Sequence, residues 1–428
     1  MHLSRRSIQI GLIAAGIGLT SSLAAPSAFA LDWLQFRGSD TTSSSSEVTP
    51  IPVNDSIEPA WEVPTSGRGI SSPIVIGDSV VVTSSGGEDE RDLYVESFSA
   101  ADGTRQWQRT LHALGRPYTH PTSANASPSP ASDGEKIIAL FSSCDLVCLR
   151  TDGTPLWYRA LAVDHPRTGN DVSMSSSPVI LDDVVAVQLE NQGDSFGSGI
   201  DLETGETLWT RPRPRRSGWA TPIAVRLPDP AFVFQNSDGI EIVAARSGEL
   251  IATLDISGST TSSPTWAPPL LLVPGNGITA FNLREPEFPI AWENTRLNCR
   301  SVSPVVHNGQ VIVNQGSVIA SADFATGEST WKTRMRKVKS VWATPIATAS
   351  GIYVVDQSGT ITVVGEERNG VNGDASDSGE VEVLGTAEFT GPMLATPAVS
   401  DGSVFLRSDR SLIKLAHSTV AESRTTAE

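Results

Sequence analysis

The chain has 428 residues, 39% of them hydrophobic, and carries 48 acidic against 31 basic side chains for a net charge of −17. That acidity argues against nucleic acid and anionic membrane surfaces as partners, since both repel a field of their own sign. Three cysteines form no disulfide framework, and six histidines, including His120, His165 and His307, are scattered without metal-ligand spacing, so no zinc site is expected.

The first thirty residues read as an address rather than as fold. Ser4-Arg5-Arg6-Ser7-Ile8-Gln9-Ile10 has the form of a twin-arginine export signal, an apolar stretch runs from Ile8 to Leu19, and Ala28-Phe29-Ala30 is a small-x-small cleavage site. The competing reading, an uncleaved anchor, needs roughly 20 apolar residues, and this stretch is shorter. Cleavage after Ala30 would place the mature chain in the bacterial periplasm, at a net charge of −19 once the two arginines are lost. No transmembrane segment is then expected in the mature chain. Residues 31–56 follow as an N-terminal segment whose Ser39 to Ser46 stretch has the composition of an unstructured linker.

From residue 57 onward the chain repeats itself. A Ser/Thr-Pro dipeptide followed by two short hydrophobic runs recurs at Pro73, Pro130, Pro178, Pro222, Pro264, Pro304, Pro345 and Pro397, with gaps of 57, 48, 44, 42, 40, 41 and 52 residues. Each gap suits one four-stranded sheet and its turns, which is a propeller blade. Within a repeat, a run such as Ile74 to Ile76 meets a polar turn at Gly77-Asp78 and a second β-rich run from Val80 to Thr83, the pattern of a hairpin.

A later turn then precedes a tryptophan by a fixed interval: Asp102-Gly103 with Trp107, Asp152-Gly153 with Trp157, Thr204-Gly205 with Trp209, Thr326-Gly327 with Trp331. The glycine supplies positive φ, while the indole opens the outermost strand and wedges against the neighbouring sheet. Trp61, Trp107, Trp157, Trp209, Trp292 and Trp331 are therefore assigned to blade packing. The fourth repeat has Ala252 at the tryptophan position, the fifth is irregular from Arg284 to Trp292, and the seventh replaces the turn by a polar insertion, so these blades should pack less tightly at the rim.

The eighth repeat stops after Ser411 to Leu415 without an outer strand, and an orphan outer strand with Trp61 at its centre lies at Pro59 to Val63. The predicted fold is thus an all-β, eight-bladed propeller of four-stranded antiparallel blades over residues 57–418, its last blade closed by the N-terminal strand, which removes two unpaired edges. A closed ring needs no oligomer to hide edges, and a monomer is expected. Residues 419–428 form a loose tail, and Glu366 to Glu380 reads as a mobile hairpin extension.

Cys144 and Cys148 are four apart, and an extended chain would hold their Cα atoms ~13 Å apart, beyond the ~7 Å reach of a disulfide. A bulge or turn would be needed to join them, and small buried side chains are the preferred reading. Cys299 has no evident partner.

Trp33-Leu34-Gln35-Phe36-Arg37-Gly38, His120-Pro121, Asn125-Ala126-Ser127-Pro128-Ser129-Pro130 and the Asp/Thr-Gly turns with tryptophan resemble the PQQ-like (pyrroloquinoline-quinone-like) propeller repeat proteins. The likeness runs from Trp33 to about Leu415 and is nearest to the exported single-domain members, a group that includes the outer-membrane assembly scaffold propeller. It also takes in the quinoprotein alcohol dehydrogenases. In those enzymes the resemblance implies an adjacent Cys-Cys disulfide over the quinone, a tryptophan beneath it, a calcium held by carboxylate and amide side chains, and an Asp base. This chain has no adjacent cysteines. Asp89, Glu90, Asp92, Glu190, Asn191 and Asp194 cluster in two longer hairpin loops, and are read as solvated tips rather than as a calcium site.

The loops before the Ser/Thr-Pro positions gather positive charge: Arg68; Arg213, Arg215, Arg216 and Trp219; Arg300; Arg334, Arg336, Lys337, Lys339 and Trp342. Arg68, Arg215, Arg216, Trp219, Arg300, Lys339 and Trp342 are the candidate binding residues, forming a rim for an envelope protein or an anionic small ligand. The competing reading has these side chains solvating loops and pairing with nearby acids. No nucleophile, base and orienting group stand together, so a non-catalytic binding scaffold is favoured, without cofactor or metal. A PQQ-dependent alcohol or sugar dehydrogenase, which would need PQQ and calcium, is the alternative, and a carbohydrate-binding module the third.

Overall fold

The computed structural model describes residues 32–52, 55–117, 119–169, 173–366 and 380–417. The leader, most of the Glu366 to Glu380 insertion and the tail lie outside the described residues.

Eight four-stranded antiparallel sheets follow one another along the chain. Blade 1 is built from Ile74–Ile76, Ser79–Gly86, Asp92–Ser99 and Arg105–His112. Blades 2 to 7 span residues 131–160, 179–212, 223–254, 265–294, 305–334 and 346–388. Blade 8 takes Ala398–Ser400, Ser403–Arg407 and Ser411–Leu415 from the C-terminus and Trp61–Pro64 from the N-terminus, with Trp61 opposite Lys414 and Pro64 opposite Ser411.

Each blade is covered on both faces by its neighbours, so its inner strands are apolar throughout rather than alternating. Val184–Leu189 and Gly351–Val355 are buried at every position. The outer strands meet solvent on one side, and Trp61–Pro64 alternates. Hydrophobic clusters consequently lie between blades: Ile138, Leu140 and Cys148 of blade 2 pack with Val185, Val187 and Ile200 of blade 3. Burying one such aliphatic side chain contributes about 1.5–3 kcal/mol.

The tryptophans dock in the predicted manner, with an added feature that explains the turn glycine. The indole N–H of Trp107 donates to Thr151 O of the next blade at 2.9 Å, Trp157 to Leu202 O at 2.9 Å, Trp209 to Ala245 O at 2.8 Å, and Trp61 to Ala100 O at 3.3 Å. The turn glycine of that next blade lies flat under the ring. A Cβ on Gly205 would sit 2.7 Å from Trp157, and one on Gly153 2.7 Å from Trp107. In blades 1 to 7 the outer strand also slips register beside the tryptophan position, as at Gly199/Ile200 opposite Trp209. Such bulges twist an edge away from further pairing.

One expectation is corrected here. The fifth repeat is irregular in spacing, yet Trp292 donates to Phe324 O at 3.0 Å and covers Gly327 like the others. Trp331 also packs against the next blade, buried with Ile352, Val354 and Val364, but its N–H donates to Gln310 of its own blade at 2.7 Å.

A second correction concerns Ser39 to Ser46, which is no loose linker. Residues 32–50 form a strap laid across one face of the ring. Trp33 pairs with Val75, Leu34 O accepts from Ser132, buried Arg37 donates to Pro264 O at 2.6 Å and Thr265 Oγ1 at 2.7 Å, and Thr42 O accepts from Val306. Ser43 and Ser45 pair with Ala347, and Glu47 Oε2 accepts from Gly402 at 2.6 Å. Ser44 Oγ meets His307 Nδ1 at 2.6 Å, and His307 Nε2 lies 2.6 Å from Glu366 of blade 7. The strap thus touches blades 1, 2, 5, 6, 7 and 8.

Gly205 combines φ +72° with a close approach of a neighbouring indole. Gly205→Val should lower stability by about 2 kcal/mol or more, since strained left-handed backbone alone costs about 1–3 kcal/mol. Denaturant unfolding followed by tryptophan fluorescence checks this, and an unchanged midpoint would contradict the packing role.

Candidate functional site: the axial funnel and its rim

The residue before each repeat proline is held extended, so eight Ser/Thr side chains enter the first strands in the same pose. At seven of the eight steps the backbone N–H donates to the hydroxyl of the equivalent residue one blade on. Ser72 donates to Ser129 at 2.9 Å, Ser129 to Ser177 at 3.0 Å, Ser177 to Thr221 at 3.0 Å, Thr221 to Ser263 at 2.9 Å, Ser263 to Ser303 at 3.0 Å, Ser303 to Thr344 at 3.1 Å, and Thr344 to Thr396 at 2.9 Å. This belt fixes the radius of the central channel. It is the reason for a hydroxyl at that position, which the repeat showed without explaining.

Extended backbone sends residues two apart to the same side. The positions two before the belt therefore form a second ring above it: Ile70, Ser127, Ser175, Trp219, Thr261, Ser301, Trp342 and Leu394. Phe36 of the strap lines the same cavity. Because the strap lies on the opposite face, the channel becomes a blind funnel of about 510 Å3, opening among the loops that join one blade to the next.

Among the described residues 22 line the funnel, of which fifteen are Ser or Thr and none is Asp, Glu, Lys or Arg. The titratable member is His120, whose Nδ1 lies 2.8 Å from Thr122 Oγ1. Ser123 bridges Ser127 at 2.8 Å and Ser173 at 2.6 Å. Trp219 donates to Ser173 O at 2.9 Å, which sets its ring against the mouth, and Trp342 is 47% exposed.

Of the sequence candidates, Trp219 and Trp342 line the funnel. Arg68, Arg215, Arg216, Arg300 and Lys339 stand outside it. Arg68 is held by Glu90 at 3.0 Å and Asp409 at 3.2 Å. Arg215 lies 3.8 Å from Asp194, and Arg216 pairs with Asp238 at 2.9 Å. Arg300 and Lys339 expose their side chains while their backbones are tied down: Arg300 O accepts from Ser262 at 3.0 Å, and the Lys339 N–H donates to Asp356 at 3.1 Å.

Glu190 and Asn191, read as part of a solvated tip, are buried. Glu190 pairs with equally buried Arg213 at 2.8 Å, and its backbone pairs with Gly218 beside Trp219. Other buried acids pin neighbouring mouth loops: Glu96 accepts from the Ser66 N–H and hydroxyl, and Asp145 from Leu114, Gly115, Ser143 and Tyr158. Burial and the Asp145 hydrogen bond hold the Tyr158 hydroxyl protonated well above its ordinary range. The clamps escaped sequence reading because an acid in a hairpin loop looks the same whether it faces water or a neighbouring blade.

Cys144, Cys148 and Cys299 are free and buried. Burial pushes the Cys148 thiol up to about 12 and raises the other two as well. In the folded protein all three should resist iodoacetamide at pH 8 and react on unfolding, as mass spectrometry would show. Because unfolded thiols ionise near ~8.5, this contribution to stability is present below that pH and is lost as pH rises toward 12.

The fold and the site define an eight-bladed propeller with a strapped face and a blind axial funnel. A family model described as outer membrane protein assembly factor BamB matches residues 54–225, the closing strand through the start of blade 4. No curated protein matches the chain. Among solved structures, BamB from Moraxella catarrhalis is 15% identical with a TM-score of 0.63, over 86% of this chain and 99% of its own. Quinohemoprotein alcohol dehydrogenase from Comamonas testosteroni is 12% identical with a TM-score of 0.66, over 93% and 82%. ADHIIG from Pseudomonas putida HK5 is 12% identical with a TM-score of 0.68, over 93% and 82%. At such identities the structural likeness speaks to fold. Over residues 54–225 the chain is similar to the BamB repeat family, and its whole fold is the eight-bladed propeller that BamB and the quinoprotein alcohol dehydrogenases share.

The funnel walls do not fit a quinone with its calcium. A calcium site draws on several anionic or amide oxygens, and the described residues of the lining offer no carboxylate and one amide, that of Gln357.

Proposed function

We propose that this protein is an exported, non-catalytic binding propeller of the bacterial cell envelope, whose mouth face docks an envelope protein. The observation that carries the reading is the pair Trp219 and Trp342, equivalent residues of blades 4 and 7 displayed at the mouth. The Trp219 loop is held by the buried Glu190–Arg213 pair, and the Trp342 loop by Asp356 through Lys339. Rigid loops lose little entropy on docking, and tryptophans are frequent anchors of interfaces. Exposed Arg215, Arg216, Arg300 and Lys339 around them favour an acidic patch on the partner.

The twin-arginine leader supports export, and no helix among the described residues is long and apolar enough to cross a membrane. The BamB-like repeats support a scaffold role.

A photo-crosslinking residue at Trp342 should capture one discrete envelope protein in living cells, whereas the same residue at Val48, exposed on the strap face, should not. Arg216→Glu with Arg300→Glu and Lys339→Glu should reduce capture at least tenfold. No adduct at Trp342, or equal adducts at both positions, would reject the docking reading.

The dehydrogenase alternative is tested separately. Purified protein supplied with PQQ and calcium should not reduce a redox dye with primary alcohols or glucose; sustained turnover would replace the scaffold reading by an enzyme.

A further inference from the structure

Inside the mouth, the funnel wall restricts what can enter. A charged ligand would be taken from water into a cavity whose described lining carries no Asp, Glu, Lys or Arg to offset its desolvation. A purely apolar ligand would strip water from a wall that is two-thirds hydroxyl-bearing and return no hydrogen bonds. What fits is a neutral molecule that carries many hydroxyls and also a flat apolar face.

The second ring places those two demands side by side, twice. Going round the funnel, Ser175 of blade 3 precedes Trp219 of blade 4, and Ser301 of blade 6 precedes Trp342 of blade 7. Among the described residues no hydrogen-bond partner occurs for the Ser175 or Ser301 hydroxyl, while neighbouring Thr261 is tied to Arg300 O at 3.3 Å. Each indole thus has an uncommitted hydroxyl on the adjacent blade. Leu394 and Ile70 continue the apolar sector beyond Trp342, and Phe36 adds an aromatic ring from the strap.

A pyranose ring has this character: equatorial hydroxyls around its edge and a C–H face that stacks on an aromatic plane. The volume of about 510 Å3 lies within the ~300–1,000 Å3 usual for small-molecule sites. We propose that the axial funnel binds the end of a neutral saccharide, stacked on Trp219 or Trp342 and hydrogen-bonded to the Ser/Thr rings. The site shares Trp219 and Trp342 with the proposed docking face but extends below it to the Ser/Thr rings, and sugar binding needs only the isolated chain.

The test is calorimetric titration of purified full-length protein with maltotriose, cellotriose and triacetylchitotriose, and with trigalacturonic acid as the charged counterpart. At least one neutral trisaccharide should bind saturably, and trigalacturonic acid at least tenfold more weakly. Trp219→Ala with Trp342→Ala should weaken binding at least tenfold, and Ser175→Val with Ser301→Val about fivefold. Trp342→Phe, which keeps a ring, should retain most of the affinity and guards against a folding artefact. The triple Glu variant of Arg216, Arg300 and Lys339 should bind the sugar unchanged while losing protein capture, which separates failure of this proposal from failure of the docking reading. No saturable binding of any neutral trisaccharide, equal binding of the acidic one, or indifference to loss of both tryptophans would overturn the proposal.

Discussion

Ring closure depends on the pairing of Trp61–Pro64 with Ser411–Leu415. Without it blade 8 would expose an unpaired strand, and its contact with blade 1 would lose Trp61 and Val63. Buried Glu96 of blade 1 then grips Ser66, just beyond the closing strand, so the seam is locked by a charge-assisted hydrogen bond as well as by apolar contact. Within the ring the Ser/Thr residues of successive blades stand close enough for backbone N–H to meet hydroxyl at seven of the eight steps around the channel. The width of the funnel follows from that closure.

The two faces divide the work. On one, the strap crosses the ring and its Arg37, Ser43 and Thr49 are buried against blades 5 and 7. On the other, buried carboxylates hold the loops between blades, so that side chains at the mouth are presented from a stiff frame. A buried acid is expensive unless paired, and each of these acids is satisfied by N–H, hydroxyl or guanidinium groups. Rigidity at the mouth is therefore bought from polar groups rather than from a larger core.

Charge is sorted with similar consistency. The protein is strongly acidic, yet among the described residues no Asp, Glu, Lys or Arg lines its axial cavity, and exposed cations sit on the loops outside. In the proposed functions this sorting divides long-range attraction by the outer loops from close-range recognition in the funnel by shape, stacking and hydroxyl geometry.

The repeat count, the antiparallel hairpins, the packing tryptophans and the closing strand could all be read from the chain, because each rests on local spacing, turn chemistry or a missing element. The strap could not. Its Ser/Thr composition is that of a linker, and Arg37 and Ser44 find partners 228 and 263 residues away. Likewise nothing in Ile70, Ser127, Trp219, Ser301 or Leu394 marks them as one ring, since they share a position relative to the belt and no residue type. Periodicity along the sequence determined the blades and their number. Where blades meet, which acids are buried and what faces the axis were settled by closure in three dimensions, because burial belongs to a residue's neighbours in space and those come from distant parts of the chain.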